Sequence, residues 1–258
     1  LYLTSLLGSL TDGLKHNLGG EFLAEAINHP AFRIVVDGWT NLKAGVMPRA
    51  TDMAFQSPGI CRAEGLGSSR TQTLAFLDMA GGIFERWDPN SIDPRIVSIF
   101  GAADVLWIVC SPMKEKVAAQ LQLLMQAYVN YTVSQKGGVA LLRHKRVVVI
   151  YTKADRLLPA FDALGYADVG NYLMDDPRPV DREYMNVLRY ISGRLADFTC
   201  THVAGGPGFH AMCRKRFHSV QYTVVSALGS APDSNNRLTQ AVNPRRVVDP
   251  LLWSVQRQ

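Results

Sequence analysis

The chain has 258 residues, 47% of them hydrophobic and 19% charged, which is enough for one large α/β domain with a full core. That balance excludes a disordered or fibrous protein, and no apolar run approaches the ~20 residues that a membrane-spanning helix needs. A formal charge of +5 is mildly basic, compatible with polyphosphate or nucleic acid and implying neither.

Residues 1–16 carry Leu3, Leu6, Leu7, Leu10 and Leu14 at i, i+3, i+4, i+7 and i+11, the stripe of an amphipathic helix. From 19 to 50 Gly, Pro and Asn break the pattern, which reads as a short helix at 21–28 followed by loop. Strands are expected near 51–63 and 71–78, and the turn-rich EGLGSSR between them predicts a hairpin. After DMAGG comes an irregular stretch with a short helix near 93–100, and then ADVLWIVCSP reads as a fully buried strand. Residues 114–133 form a helix with Val117, Leu121, Leu124, Met125 and Tyr128 on one face, and the β-branched run at 145–152 is the next strand.

A helix at 181–198 shows Tyr184, Val187, Leu188, Ile191, Leu195 and Phe198 in register. The glycine-rich AGGPG at 204–208 reads as loop, the basic RKRFH at 214–218 follows, and VQYTVVSA is the last strand. A final helix starts at VVDPLLWSV, with Asp249 as its N-cap and Pro250 at the first helical position, where the missing N–H does no harm. Helices alternating with buried strands predict a doubly wound α/β domain, a mostly parallel sheet with helices on both faces. One domain is expected over 1–258, with an elaborated insertion at about 156–215.

Three strand ends carry polar residues in one order. In LAFLDMAGG an apolar run ends in Asp78, with Gly81 three residues later. A carboxylate at a strand's end can hold a hydrated Mg²⁺, and such a glycine lets backbone N–H approach a terminal phosphate. In VVVIYTKADRL the strand ends in Thr152, Lys153 and Asp155. Asp155 can accept from the N1–H and the exocyclic amine of guanine, a donor pair that adenine lacks, while Lys153 lays its stem along the base. In TVVSALG the strand ends at Ser226, and the Ala227 and Leu228 N–H groups can meet a purine carbonyl oxygen.

An Asp-x-x-Gly, then Thr-Lys-x-Asp, then Ser-Ala-x, each after an apolar strand, resembles the P-loop GTPases of the translation-factor and Ras-like class. DMAGG and the terminal RVVDPLLW are similar to the bacterial double-GTPase type of multi-gene conflict systems. The resemblance implies a three-layer G domain that binds GTP or GDP with Mg²⁺, cytoplasmic, hydrolysing slowly and signalling to an effector that reads the 79–90 segment. In that reading Asp78 and Thr51 serve the metal, with Thr40 in reserve for Thr51. Gly81 senses the γ-phosphate, and Gly82 stands where Ras-like members place a water-orienting glutamine. Glu85, Arg86 or a partner's residue would then have to orient the water.

The phosphate loop GxxxxGK[ST] of that family has no counterpart here, since no Gly-Lys dipeptide occurs. Residues 1–16 are the helix that should follow such a loop, so the expectation is a loop just upstream of Leu1; the alternative is a catalytically inactive pseudo-GTPase scaffold. A Rossmann-type nucleotide enzyme is the remaining rival, and its G-x-G-x-x-G fingerprint is not visible. Cys61, Cys110, Cys200 and Cys213 form no CxxC pair and read as reduced thiols. Cys200, His202, His210 and Cys213 read as helix-end packing before a zinc quartet, because the first pair is too close. The 214–216 cations lack interleaved aromatics and read as a solvated face, which disfavours nucleic acid as a partner.

Overall fold

The structure of the protein, a computed structural model, describes residues 2–11, 23–26, 37–47, 59–64, 72–76, 103–111, 117–134, 138–175, 180–234 and 237–255. Among them are two three-stranded sheets. The first is antiparallel, in the order β1 (Leu23–Ala26), β2 (Gly59–Glu64), β3 (Gln72–Phe76). Gly59 lies opposite Phe76 and Ala63 opposite Gln72, so the two expected strands pair antiparallel; residues 51–58, 71, 77 and 78 of the expected spans lie outside the described residues.

The helix expected at 21–28 is corrected: Leu23–Ala26 is a strand, with Leu23 opposite Glu64 and Ala26 opposite Cys61. The residues of LAEA favour a helix, but a free helix of about eight residues is marginal in water, and the edge of β2 offers backbone partners at once.

The second sheet is parallel throughout, in chain order β4 (Val105–Cys110), β5 (Arg146–Tyr151), β6 (Ser219–Val224). Before it in the chain lie α1 (Tyr2–Thr11) and a second helix, α2, at 37–43. The crossover from β4 to β5 carries α3 (Val117–Ser134) and α4 (Gly138–His144). The crossover from β5 to β6 carries a 3₁₀ turn (Ala154–Leu157), α5 (Leu158–Ala163), α6 (Ala167–Met174), α7 (Arg182–His202) and α8 (Gly206–Arg216). After β6 the chain ends in α9 (Asp249–Val255).

The central strand explains the arrangement. Val147 to Ile150 are each no more than 1% exposed, so both faces of β5 are covered. On one face Tyr222 pairs with His210 of α8, and Tyr151 shares a hydrogen bond with Thr199 of α7. On the other, Trp107 donates to Ser254 of α9 at 2.7 Å. The class is therefore α/β, a parallel sheet flanked by helices. The outer edge of β6 is covered by α7, where Ser192 Oγ accepts the Tyr222 N–H at 2.9 Å.

Three local expectations are corrected. β4 is half-buried, with Val109 47% exposed: among the described residues it ends the strand order, and α9 packs mainly on β5 and β6. AGGPG is not a loop throughout: Gly205 turns left-handed at φ 80° and Gly206 opens α8, with Pro207 in its first turn. A Cβ on Gly206 would meet the Thr199 carbonyl oxygen at 1.9 Å, so the end of α7 requires glycine there. Asp249 does not cap α9; its carboxylate turns inward to the hydroxyls of Tyr172 and Tyr184 and is 1% exposed. The phenol donors win because the side chain lies under α6 and α7, away from water.

Candidate functional site

The carboxyl ends of β5 and β6 leave the sheet side by side. The ladder runs one residue past the strands: Thr152 N–H donates to Cys110 O and Val225 N–H to Tyr151 O, each at 2.9 Å. Lys153 then adopts φ 57°, a left-handed conformation that a residue with a Cβ takes only where its surroundings hold it. The turn brings Ala154 N–H to Val225 O at 3.2 Å, starts the 3₁₀ turn and leaves the Lys153 side chain exposed. Asp155 sits in the first turn of that helix.

Ser226 Oγ donates to Asp155 Oδ1 at 2.6 Å and accepts the Gly229 N–H at 3.0 Å. Asp155 Oδ2 accepts nothing from the described residues. Ser226 is 1% exposed and pairs through its backbone with Arg245, by hydrogen bonds of 3.1 and 2.8 Å. The next carbonyls are also held: Ser5 of α1 donates to Ala227 O at 2.8 Å, and Asn243 N–H to Leu228 O at 2.9 Å. By contrast, the Ala227 and Leu228 N–H groups find no acceptor among the described residues, although both residues are less than 10% exposed. Backbone amides in such segments are nearly always paired, so two adjacent donors without an acceptor among the described residues are available to an added one.

The Leu228 side chain packs with Trp39 and Leu42 of α2. Trp39 in turn lies on Gly8 of α1, where an added Cβ would come within 2.1 Å of the indole. Helices α1 and α2 thus back the loop that follows β6.

Of the residues singled out in the sequence, Thr152, Lys153, Asp155, Ser226, Ala227 and Leu228 come together here. Asp78, Gly81, Gly82 and Thr51, with Glu85 and Arg86, lie outside the described residues. Thr40, the reserve for Thr51, is exposed on α2. Ser5, Asn243 and Arg245, which fix the loop, carry no local mark in the sequence: Ser5 meets Ala227 from 222 positions away, and Asn243 and Arg245 act through backbone groups that any residue has. Gly229 carried a signal: it has φ 80°, and a Cβ there would meet Asn243 O at 2.1 Å.

The four potential zinc ligands do not converge. His202 stacks edge-on against Tyr166 with ring centres 5.6 Å apart, and His210 pairs with Tyr222 at 2.9 Å. Cys213 is buried and its thiol is pushed up to about 12 by desolvation, as is that of Cys110. Among the described residues no group of three His, Cys, Asp or Glu side chains is placed to hold a metal. No helix of the described residues is long and apolar enough to cross a membrane. In comparisons with known proteins, no family model matches the chain, and no curated protein or solved structure matches it significantly.

Proposed function

We propose that this chain is a guanine-nucleotide-binding switch GTPase. The observation that supports it best is the Ser226–Asp155 hydrogen bond of 2.6 Å beside the unspent Ala227 and Leu228 amides. A guanine lying on this rim gives its N1–H and exocyclic amine to the Asp155 carboxylate, whose oxygens together offer about four acceptor positions, of which Ser226 uses one. Its O6 then accepts from the Ala227 or Leu228 N–H. Adenine presents an acceptor at N1 and a donor at position 6, opposite to what the rim offers, so base choice follows from unpaired polar groups. The exposed stem of Lys153 covers one face of the base.

The parallel order β4-β5-β6 with helices on both faces is what one side of a doubly wound G-domain sheet would contain, and ligands in such sheets lie at the strands' carboxyl ends. The β2–β3 hairpin ends two residues before Asp78, as the motif order requires. By that motif alone, Asp78 and Thr51 would hold Mg²⁺, which supplies charge neutralisation for the triphosphate. Gly81 would meet the γ-phosphate, Gly82 leaves hydrolysis slow, and an effector protein would read 79–90.

Titration calorimetry of the chain with GTP against ATP tests the base assignment. Asp155→Asn should weaken GTP and favour xanthosine triphosphate, whose C2 carbonyl accepts where guanine donates. Unchanged GTP affinity in that variant would overturn the assignment.

A further inference from the structure

A buried cluster lies behind the rim. Arg246, the residue after the one bridged to Ser226, has φ 55° and is 9% exposed. Its Nε donates to Tyr172 O at 2.8 Å and its Nη2 to Asp175 O at 3.2 Å, at the end of α6. Its guanidinium lies over the Tyr172 ring, 4.1 Å from the centre, and 6.0 Å from that of Tyr184. Both tyrosine hydroxyls donate to Asp249, at 2.6 and 2.5 Å. Arg246 and Asp249 thus neutralise one another across two aromatic rings, and Asp249 N–H closes the turn onto Arg246 O at 3.2 Å.

What this cluster grips matters more than that it is buried. The loop carrying the two unspent amides is fixed largely by the 243–245 segment, through Asn243 N–H to Leu228 O, the two Ser226–Arg245 bonds and the contact of Gly229 with Asn243. That segment is anchored at its far end by Arg246, whose left-handed corner persists only because its surroundings over-determine it. Helix α6, which takes the guanidinium, lies on the crossover that leaves β5 and carries Asp155 near its start. One cluster therefore braces the chain on the Asp155 side against the chain on the Ser226 side.

We propose that Arg246, Tyr172, Tyr184 and Asp249 form a strut that sets the spacing between Asp155 and the Ala227–Leu228 amides, with Arg246 and Asp249 as positioning residues for base recognition. The idea rests on the guanine reading above, but the strut itself is measurable without nucleotide.

Amide hydrogen exchange on the full chain, followed by NMR, reads it through the hydrogen-bonded amides of 226, 229, 243 and 245 against those of 147–150 in β5. Arg246→Gly keeps a left-handed corner free of strain and removes the guanidinium; Arg246→Lys keeps the charge and removes the fork. Both should raise exchange of the four loop amides at least about tenfold and leave β5 within about twofold. Loop protection retained in Arg246→Gly would overturn the proposal, since the corner alone would suffice. A uniform rise including β5 would also overturn it, reducing the cluster to ordinary core. If the Arg246 variants do not fold, Tyr172→Phe decides: selective loosening of the loop supports the strut, and an unchanged loop overturns it.

A nucleotide arm separates the two ideas. Where the unaltered chain prefers GTP to inosine triphosphate, Arg246→Lys should shrink that preference by about tenfold. A chain that binds neither ends the guanine reading and leaves the exchange result decisive for the strut.

Discussion

Ser226 and Asp155, 71 residues apart, meet through a hydroxyl-to-carboxylate hydrogen bond of 2.6 Å, and the same hydroxyl oxygen accepts the Gly229 N–H. One small side chain thus orients the carboxylate and closes the loop that presents the Ala227 and Leu228 amides, which have no acceptor among the described residues. Ser226→Ala removes both bonds and leaves the half-buried Gly229 N–H without its acceptor. Unfolding in urea should show a loss of about 1–3 kcal/mol. GTP affinity should fall about tenfold, with ATP affinity unmoved. An equal loss for both nucleotides would place Ser226 outside base recognition.

Gly8 and Trp39 interlock: a Cβ at position 8 would come within 2.1 Å of the indole, whereas one at Gly38 would meet the Thr4 methyl at 3.1 Å. The first is overlap with a rigid ring that is 7% exposed; the second is a tight contact that a small shift relieves. Gly8→Ala should therefore cost about 1–3 kcal/mol and change the tryptophan fluorescence as α2 moves off α1. Gly38→Ala should be close to neutral. Similar losses in the two variants would count against this packing.

Much of the parallel sheet could be read from the sequence because its strands are short β-branched runs whose burial is local information. The rim was readable for the same reason: Thr152, Asp155 and Ser226 interrupt apolar runs, and a charge at a strand end needs an explanation. Leu23–Ala26 was not, because its strand state depends on a partner some 40 residues away. The strut was hidden more deeply. Tyr172 and Tyr184 count as members of apolar helix stripes, and nothing in their spacing says that their hydroxyls share a carboxylate. RVVDPLLW held a clue, an aspartate between apolar pairs, but a helix cap explains that pattern as readily as a buried acid.

The covered edge of β6 gives a third prediction. Ser192 Oγ accepts the Tyr222 N–H at 2.9 Å and donates to Gln221 Oε1 at 3.1 Å. Ser192→Ala leaves a buried strand N–H unsatisfied, and urea unfolding should show a loss of about 1–3 kcal/mol. Exchange at the Tyr222 amide should rise while those of β5 hold. A neutral substitution would mean that water reaches this edge.

Asp249 gives the last prediction, through pH. Burial raises its pKa from 3.8 to about 6, opposed by the hydrogen bonds from Tyr172 and Tyr184 and by the Arg246 charge. The folded state therefore holds the proton more tightly than the unfolded chain. The slope of unfolding free energy with pH is negative wherever the native state binds more protons, here between about 4 and 6. This group's contribution is fully present below the unfolded pKa and is lost as pH rises through about 6, above which it stays flat. Two units correspond to roughly 3 kcal/mol at most. Asp249→Asn cannot titrate, so urea midpoints taken from pH 4 to 7 should lose this downward slope relative to the unaltered chain, against the background of the other acids. Identical slopes in the two proteins would show that the carboxylate stays ionised in the fold down to its ordinary range, with the tyrosines and Arg246 outweighing desolvation.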